Sequence, residues 1–266
     1  MLQSNQLMSG KRGLIMGVAN ERSIAWGIAR VLAQSGAELA FTFQGEAFAK
    51  RLRPLAKEVN STIVLPCDVE EKDSIKAVFS SLKQHWGSID FLVHSLAYSD
   101  KDELSGRYVD TTAKNFSRTM DISCFSFTTV AKAAHPLMVD SGGSMITLTY
   151  YGAERVLPNY NVMGVAKAAL ESSVRYLATD LGPDNIRVNG LSAGPMRTLA
   201  GSAIGSARKI YNISEANSPL RKSVTLDQIG NTALYLLGES SSGVTGEIHH
   251  VDSGYNIIGM PYLRNI

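Results

Sequence analysis

The chain has 266 residues, of which 44% are hydrophobic, and it can bury one substantial core; a single domain over residues 1–266 is the simplest expectation. A formal net charge of +2, with no run of five like charges, argues against a nucleic-acid-binding protein. Two distant cysteines, Cys67 and Cys124, have no CxxC spacing and indicate neither a disulfide framework nor a zinc site.

The sequence begins without an apolar core preceded by basic residues, and no apolar stretch reaches the ~18 residues of a membrane span. We therefore expect no signal peptide and no membrane segment. The cysteine usage fits a reducing compartment, and the protein is predicted to be soluble and cytoplasmic.

Short apolar runs alternate with longer amphipathic runs along the whole chain. The apolar runs predict strands at 13–18, 39–43, 62–65, 91–94, 144–149, 186–191 and 247–251. The amphipathic runs predict helices at 23–35, 46–59, 74–86, 114–135, 159–181 and 226–237. Strands that are apolar throughout, joined by crossover helices, indicate an α/β fold with a doubly wound, mostly parallel, Rossmann-like sheet. A ligand is expected at the carboxyl ends of the strands.

The first strand-to-helix turn runs from Gly17 to Gly27. A glycine there allows the backbone to approach a pyrophosphate, and the first amides of the next helix can bind it. The GxGxxG fingerprint is absent, so a plain left-handed turn also explains Gly17, and Ser23 could be only a helix N-cap.

The ends of the next two strands also suggest a dinucleotide site. Gln44 can hydrogen-bond an adenosine ribose, and no basic residue follows until Lys50, which favours NADH over NADPH. Asp68 would lie near the adenine, although it could equally cap a helix. His94 is predicted to be a core histidine.

Tyr160 and Lys167 are seven residues apart, so on one helix they would share a face with roughly 10 Å of axial rise between them. A nearby ammonium would lower the pKa of the phenol and bring it into range for proton transfer. From spacing alone, a packed tyrosine and a solvated lysine explain the pair as well.

Together these residues carry a resemblance to a known family. The series Gly17…Ser23-Ile24-Ala25…Gly27, Cys67-Asp68-Val69, Tyr150-x9-Tyr160-x6-Lys167 and 192–200 (SAGPMRTLA) resembles the short-chain dehydrogenase/reductase superfamily. Within it, the chain resembles bacterial NADH-dependent enoyl-acyl-carrier-protein reductases. Ordinary members carry the tyrosine four residues before the lysine, where this chain has Met163, and that departure selects the enoyl reductase branch.

The resemblance implies reduction of the 2,3 double bond of trans-2-enoyl thioesters, the last step of each fatty-acid elongation cycle, without a metal. It implies that Tyr160 stabilises the enolate oxygen, that Lys167 holds the nicotinamide ribose and that Tyr150 orients the acyl group. Ser99, Tyr150 and Tyr160 would face the substrate. The residues implied for NADH are Gly17, Ser23, Ile24, Gln44, Asp68, Val69, Leu96, Lys167, Met196, Thr198, Leu199 and Ala200.

The segment at about 195–220 is predicted to form a substrate lid of two short helices. Between Arg197 and Lys222 the sequence has five basic residues against one acidic residue. This excess could be a solvated face, or it could receive an acidic acyl carrier protein.

The apolar tail at 257–260 suggests burial against another subunit, and the resemblance implies a homotetramer. Two other functions remain open at this point. The chain could reduce a carbonyl, which Met163 opposes, or it could sense a nucleotide without turnover, which would not require the phenol of Tyr160.

Overall fold

A computed structural model describes residues 6–198 and 207–262. Its strands are β1 (Arg12–Met16), β2 (Glu38–Phe43), β3 (Ile63–Pro66), β4 (Phe91–His94), β5 (Gly143–Thr149), β6 (Ile186–Ala193) and β7 (Ile248–Val251). Its helices are α1 (Ile24–Gln34), α2 (Glu46–Glu58), α3 (Lys72–Trp86), α4 (Ala113–Met120), α5 (Ser126–Ala134), α6 (Val162–Leu181), α7 (Ala207–Asn217) and α8 (Leu226–Leu237).

The seven strands form one parallel sheet in the order β3-β2-β1-β4-β5-β6-β7. One apolar cluster joins the sheet to α1, α2 and α8, and a second joins the opposite face to α3, α5 and α6. Helices on both faces explain the near-continuous apolar strands. The doubly wound α/β prediction is confirmed, and the strand order reverses direction between β1 and β4.

Two predicted helices differ from those observed. The helix predicted at 114–135 is interrupted by a π-helical turn at Asp121–Phe125, where the Ser123 hydroxyl exchanges hydrogen bonds with the backbone of Tyr98. Such π turns are frequent at functional sites. The helix predicted at 159–181 begins only at Val162, because Asn159 and Asn161 have positive φ angles of 61° and 40°. Tyr160 therefore precedes α6 rather than lying on it.

None of the helices described here is long and apolar enough to cross a bilayer. Within residues 6–198 and 207–262, no group of three or more His, Cys, Asp or Glu side chains is arranged to hold a metal ion. The two neighbouring histidines of β7 are separately engaged: His250 pairs with Glu154, and the ring of His249 lies near Tyr235.

Candidate active site

A cavity of about 700 Å³ opens at the carboxyl ends of the strands. Segments that follow β1 to β6 and the helix α7 line it. The predicted residues that line this cavity are Gly17, Ile24, Gln44, Asp68, Val69, Leu96, Ser99, Tyr150, Tyr160, Lys167, Met196 and Thr198. The position agrees with the rule that open parallel sheets bind ligands where the strand order reverses.

Gly17 forms the tight turn directly after β1. Its φ is +99°, and a Cβ atom there would lie 2.0 Å from the carbonyl oxygen of Ser95. Both the conformation and the close approach require glycine. The turn therefore brings bare backbone to the wall of the cavity, which is what a pyrophosphate needs.

Ser23 does not line the cavity. It occupies the N-cap position of α1, but its hydroxyl makes no capping bond to the helix and instead accepts hydrogen bonds from the amides of Ala19 and Asn20, at 2.9 and 3.0 Å. Ser23 thus shapes the loop that leads to the helix. The first amides of α1 remain available to an anion, as in any helix N-terminus, and Ile24 at that terminus lines the cavity.

Gln44 and Asp68 both line the cavity and contact each other. The side-chain amide of Gln44 donates a hydrogen bond to Asp68 Oδ2 at 2.8 Å. The other oxygen of Asp68 accepts from the amide of Glu70 at 3.0 Å. The capping alternative for Asp68 is wrong, because the N-cap of α3 is Glu71. A carboxylate here can accept a hydrogen bond from the amino group of an adenine, as predicted for Asp68, and it repels a 2′-phosphate.

Tyr160 is 7% exposed, and its ring packs edge-on against Tyr150 at 5.3 Å. Gly152 makes this packing possible, since a Cβ atom there would lie 2.4 Å from the Tyr160 ring. No described residue forms a hydrogen bond with the Tyr160 hydroxyl, although the side chain lines the cavity. The phenol is therefore held by its ring, with its hydroxyl left for a ligand.

The predicted lowering of the Tyr160 pKa by Lys167 is not what the structure gives. Burial raises the pKa of Tyr160, with smaller contributions from Tyr150 and Glu171. Burial also raises the pKa of Tyr150. Both phenols are consequently neutral near pH 7 and act as hydrogen-bond donors.

Lys167 is 5% exposed, and its ammonium donates to the carbonyl oxygen of Leu148 at 2.6 Å. The solvated-lysine alternative is wrong. Burial lowers the pKa of Lys167 to about 8, while nearby Cys124 and Glu171 act in the opposite direction. Glu171, one helical turn further along α6, is itself buried and accepts from the hydroxyl of Thr149 at 2.6 Å.

Two further polar side chains near the cavity, those of Ser99 and His94, have hydrogen-bond partners within the protein. The Ser99 hydroxyl accepts a hydrogen bond from the side-chain amide of Asn115 at 3.1 Å, so it offers little unsatisfied hydrogen-bonding capacity to a ligand in the cavity. His94 is a core histidine as predicted: its ring contacts the hydroxyls of Thr147 and Ser126 at 3.0 and 2.9 Å. Burial lowers the pKa of His94 to about 3, so it remains neutral.

The lid is described in part. Leu199 and Ala200, together with the rest of 199–206, lie outside the described residues. The helix α7 is present, and the hydroxyl of Tyr211 on it donates to the Met196 carbonyl at 2.7 Å. Four further residues line the cavity without belonging to any motif of the sequence: Ile210, Tyr211, Leu104 and Tyr98. Apolar residues on an amphipathic lid helix were the one available signal for the first two.

A parallel doubly wound sheet, a glycine-only turn before a helix, and a carboxylate, a tyrosine and a lysine that line one cavity define a dinucleotide-dependent oxidoreductase. The model of the Enoyl-(Acyl carrier protein) reductase family matches residues 17–256. The chain belongs to this family.

Similar proteins cover almost the whole chain. The enoyl-[acyl-carrier-protein] reductase [NADH] 2 of Rhizobium meliloti is 64% identical over 260 residues, covering 98% of this chain and 97% of the relative. The crystal structure of the Anaplasma phagocytophilum reductase in complex with NAD is 53% identical, with a TM-score of 0.94 and coverage of 99% and 100%. The Bacillus cereus reductase, crystallised with NADP+ and indole naphthyridinone, is 48% identical, with a TM-score of 0.93 and coverage of 96% and 99%.

Proposed function

We propose that the cavity is the active site of an NADH-dependent enoyl-acyl-carrier-protein reductase in which Tyr160 stabilises the enolate oxygen and Lys167 holds the nicotinamide ribose. The protein reduces the 2,3 double bond of trans-2-enoyl thioesters in the last step of each fatty-acid elongation cycle. The observation that carries the site assignment is the Tyr160 hydroxyl: it is the polar end of a buried ring, it lines the cavity, and no described residue uses it.

The residues of the cavity fit NADH at each of its parts. Gly17 and the N-terminus of α1 suit the pyrophosphate, and Lys167 suits the nicotinamide ribose. Gln44 suits the adenosine ribose, and Asp68, which accepts from Gln44, suits the adenine beside it. When bound, NADH supplies a hydride to the carbon β to the thioester carbonyl.

The chain's own residues act on the charge that the reduction creates. As negative charge builds on the thioester oxygen, the neutral phenol of Tyr160 donates a hydrogen bond to it; donors placed in this way contribute about 10²–10³-fold in rate. The ammonium of Lys167 adds a positive field from the buried side. Tyr150 holds the Tyr160 ring edge-on and forms the wall against which the acyl group is oriented.

Reduction of a carbonyl, the alternative left open by the sequence, is opposed by the place of Met163. This thioether lies in the cavity at the position four residues before Lys167 and cannot donate a proton. The deciding experiment measures oxidation of the reduced cofactor with crotonyl thioester and, separately, with a 3-oxoacyl thioester, using NADH in one set of assays and NADPH in the other. Rapid turnover is expected only for the enoyl substrate with NADH; preference for the 3-oxoacyl substrate would overturn the assignment.

Acyl carrier protein is the proposed donor of the substrate, received by the basic side of the lid. Arg208 and Lys209 are exposed on α7, and Arg221 and Lys222 are exposed just beyond it. Arg221 already stacks on the ring of Tyr262, at 3.9 Å, so Arg208 and Lys209 are the better candidates. An acidic partner would be drawn to this charge, and salt would weaken the attraction.

The test neutralises Arg208 and Lys209 to glutamine and compares carrier-linked with coenzyme-A-linked substrate across ionic strength. The double variant should raise KM for the carrier-linked substrate and flatten its salt dependence. The matched control neutralises the exposed Lys72 and Lys83 on α3, which do not line the cavity. Equal responses of the two substrates would discard the docking proposal.

We also propose a homotetramer in the cytoplasm. Ile257 and Met260 in the carboxyl-terminal tail are 73% and 69% exposed, and apolar side chains of this kind are usually covered by another subunit. Cys67 and Cys124 are free and buried, which fits a reducing compartment. Light scattering should give the mass of four chains, and serine at both tail positions should lower it; a monomer in the wild type would contradict the assembly.

A further inference from the structure

Asn161 has a backbone conformation that asparagine seldom adopts. Its φ is 40° and its ψ is −124°, and it stands directly between Tyr160 and the first residue of α6. Glycine adopts positive φ freely, whereas a side chain makes such a conformation costly. An asparagine at this place is therefore best explained by what its side chain does.

An asparagine directly before a helix is typical of an N-cap whose side chain bonds to the helix, but Asn161 does not do this. Asn161 occupies the N-cap position of α6, but its side chain makes no capping bond to the helix. Its side-chain amide nitrogen, Nδ2, instead donates to the backbone carbonyl oxygen of Glu103 at 3.1 Å, and it lies 3.4 Å from the backbone carbonyl oxygen of Gly106. The side chain thus crosses to the segment that follows β4.

Glu103 ties this segment to the start of α4. Its carboxylate accepts from the amide and the hydroxyl of Thr112, at 3.0 and 2.8 Å, and from the side chain of Asn115 at 3.1 Å. Asn115 is 1% exposed and also accepts from the amide of Asp100 at 3.0 Å. The segment from 100 to 115 is therefore fixed at several points, and Asn161 attaches it to the turn that carries Tyr160.

The two parts joined by Asn161 also meet inside the cavity. Leu104, Tyr160 and Met163 form a small buried cluster, against which Tyr150 and Leu157 pack. Leu104 belongs to the attached segment, and Tyr160 precedes Asn161 by one residue. A shift of the segment would consequently move both the substrate wall and the phenol.

We propose that Asn161 is a positioning residue that locks the Tyr160 turn to the substrate wall at residues 103–106. The inference rests on the proposed role of Tyr160. Asn161 touches neither substrate nor cofactor in this scheme; it acts by holding the phenol where the enolate oxygen forms. Small displacements of a catalytic group can cost ~10²-fold in rate, so the loss of this attachment should appear in turnover.

The experiment compares Asn161→Gly and Asn161→Asp with wild type. Glycine keeps the backbone conformation and removes the attachment, and aspartate places a carboxylate against two carbonyl oxygens. The control is Asn185→Gly, another asparagine with positive φ, 56°, at the opposite end of α6. For each protein, kcat and KM for the enoyl thioester, Kd for NADH and the thermal midpoint are measured.

Asn161→Gly should lower kcat/KM for the thioester by ~10- to 100-fold, with NADH affinity and thermal midpoint close to those of Asn185→Gly. Asn161→Asp should be less active than Asn161→Gly. The positioning role would be overturned if Asn161→Gly had wild-type kcat and KM. It would also be overturned if the loss of activity were matched by equal losses of NADH affinity and thermal stability. Full activity of Tyr160→Phe would instead overturn the proposed role of Tyr160, and the two failures are thereby distinguished.

Discussion

Replacement of Tyr160 by phenylalanine should separate the chemistry of this site from its stability. The ring makes the contacts that bury the residue, packing edge-on against Tyr150 and beside Leu104 and Met163. Phenylalanine keeps all of these contacts. The hydroxyl has no hydrogen-bond partner among residues 6–198 and 207–262, so its removal breaks no bond to any of them. The free energy of unfolding should change by no more than ~0.5 kcal/mol, since the penalty for a deleted hydroxyl comes mainly from a partner left unsatisfied.

Turnover should respond very differently. If the hydroxyl donates to the enolate oxygen, its loss should lower kcat by about 10²–10³-fold, or about 2.7–4 kcal/mol of transition-state stabilisation. NADH oxidation with crotonyl thioester measures kcat, and urea denaturation measures the free energy of unfolding. Wild-type kcat in the phenylalanine variant would refute the reasoning; so would a stability loss of several kcal/mol, which would reveal a bond to the hydroxyl in the folded protein.

Three further predictions concern Lys167 and Gly152. Burial lowers the pKa of Lys167 from its ordinary 10.5 to about 8, so in the cofactor-free protein the ammonium loses its proton as pH rises through about 8. The affinity for NADH, measured by fluorescence titration, should therefore fall near pH 8. Lys167→Met should show no such fall in affinity near this pH. Because the unfolded chain keeps that proton up to pH 10.5, the contribution of Lys167 to the free energy of unfolding should rise between pH 8 and 10.5. Gly152→Ala would place a methyl group 2.4 Å from the Tyr160 ring and should lower kcat. Gly182→Ala is the control, because a methyl group there would have no atom within 4 Å, and kcat should not change. Equal kcat in the two variants would contradict the packing argument.

The placement of Tyr160 outside α6 has a consequence for the chemistry. A tyrosine four residues before Lys167 would share the helical face of the lysine, but this chain has Met163 there. Tyr160 reaches the cavity from the turn before the helix, where its ring is clamped by Tyr150 and by the bare backbone of Gly152. Among the described residues, the phenol is consequently held by packing rather than by a hydrogen bond to its hydroxyl, as the proposed bond from that hydroxyl to the substrate requires.

Much of this protein was determined by local sequence pattern. Seven apolar runs and the helices between them predicted the parallel sheet. Strands buried on both faces carry apolar side chains on both faces, and crossover helices must cover them. Since parallel strands present their carboxyl ends at one edge, the same pattern also placed Gly17, Gln44 and Asp68, each of which follows a strand, around one cavity. The family resemblance rested on spacings such as Tyr160-x6-Lys167, which survive any error in element boundaries.

Only the tertiary structure decided what depends on the surroundings of a side chain. The pKa of Tyr160 follows from burial, and sequence spacing had suggested the opposite direction. Asn161 looked like a helix cap, yet its partners lie more than fifty residues earlier in the chain. Local pattern reports backbone preference and amphipathic faces, whereas desolvation and long-range hydrogen bonds arise only when distant segments pack together.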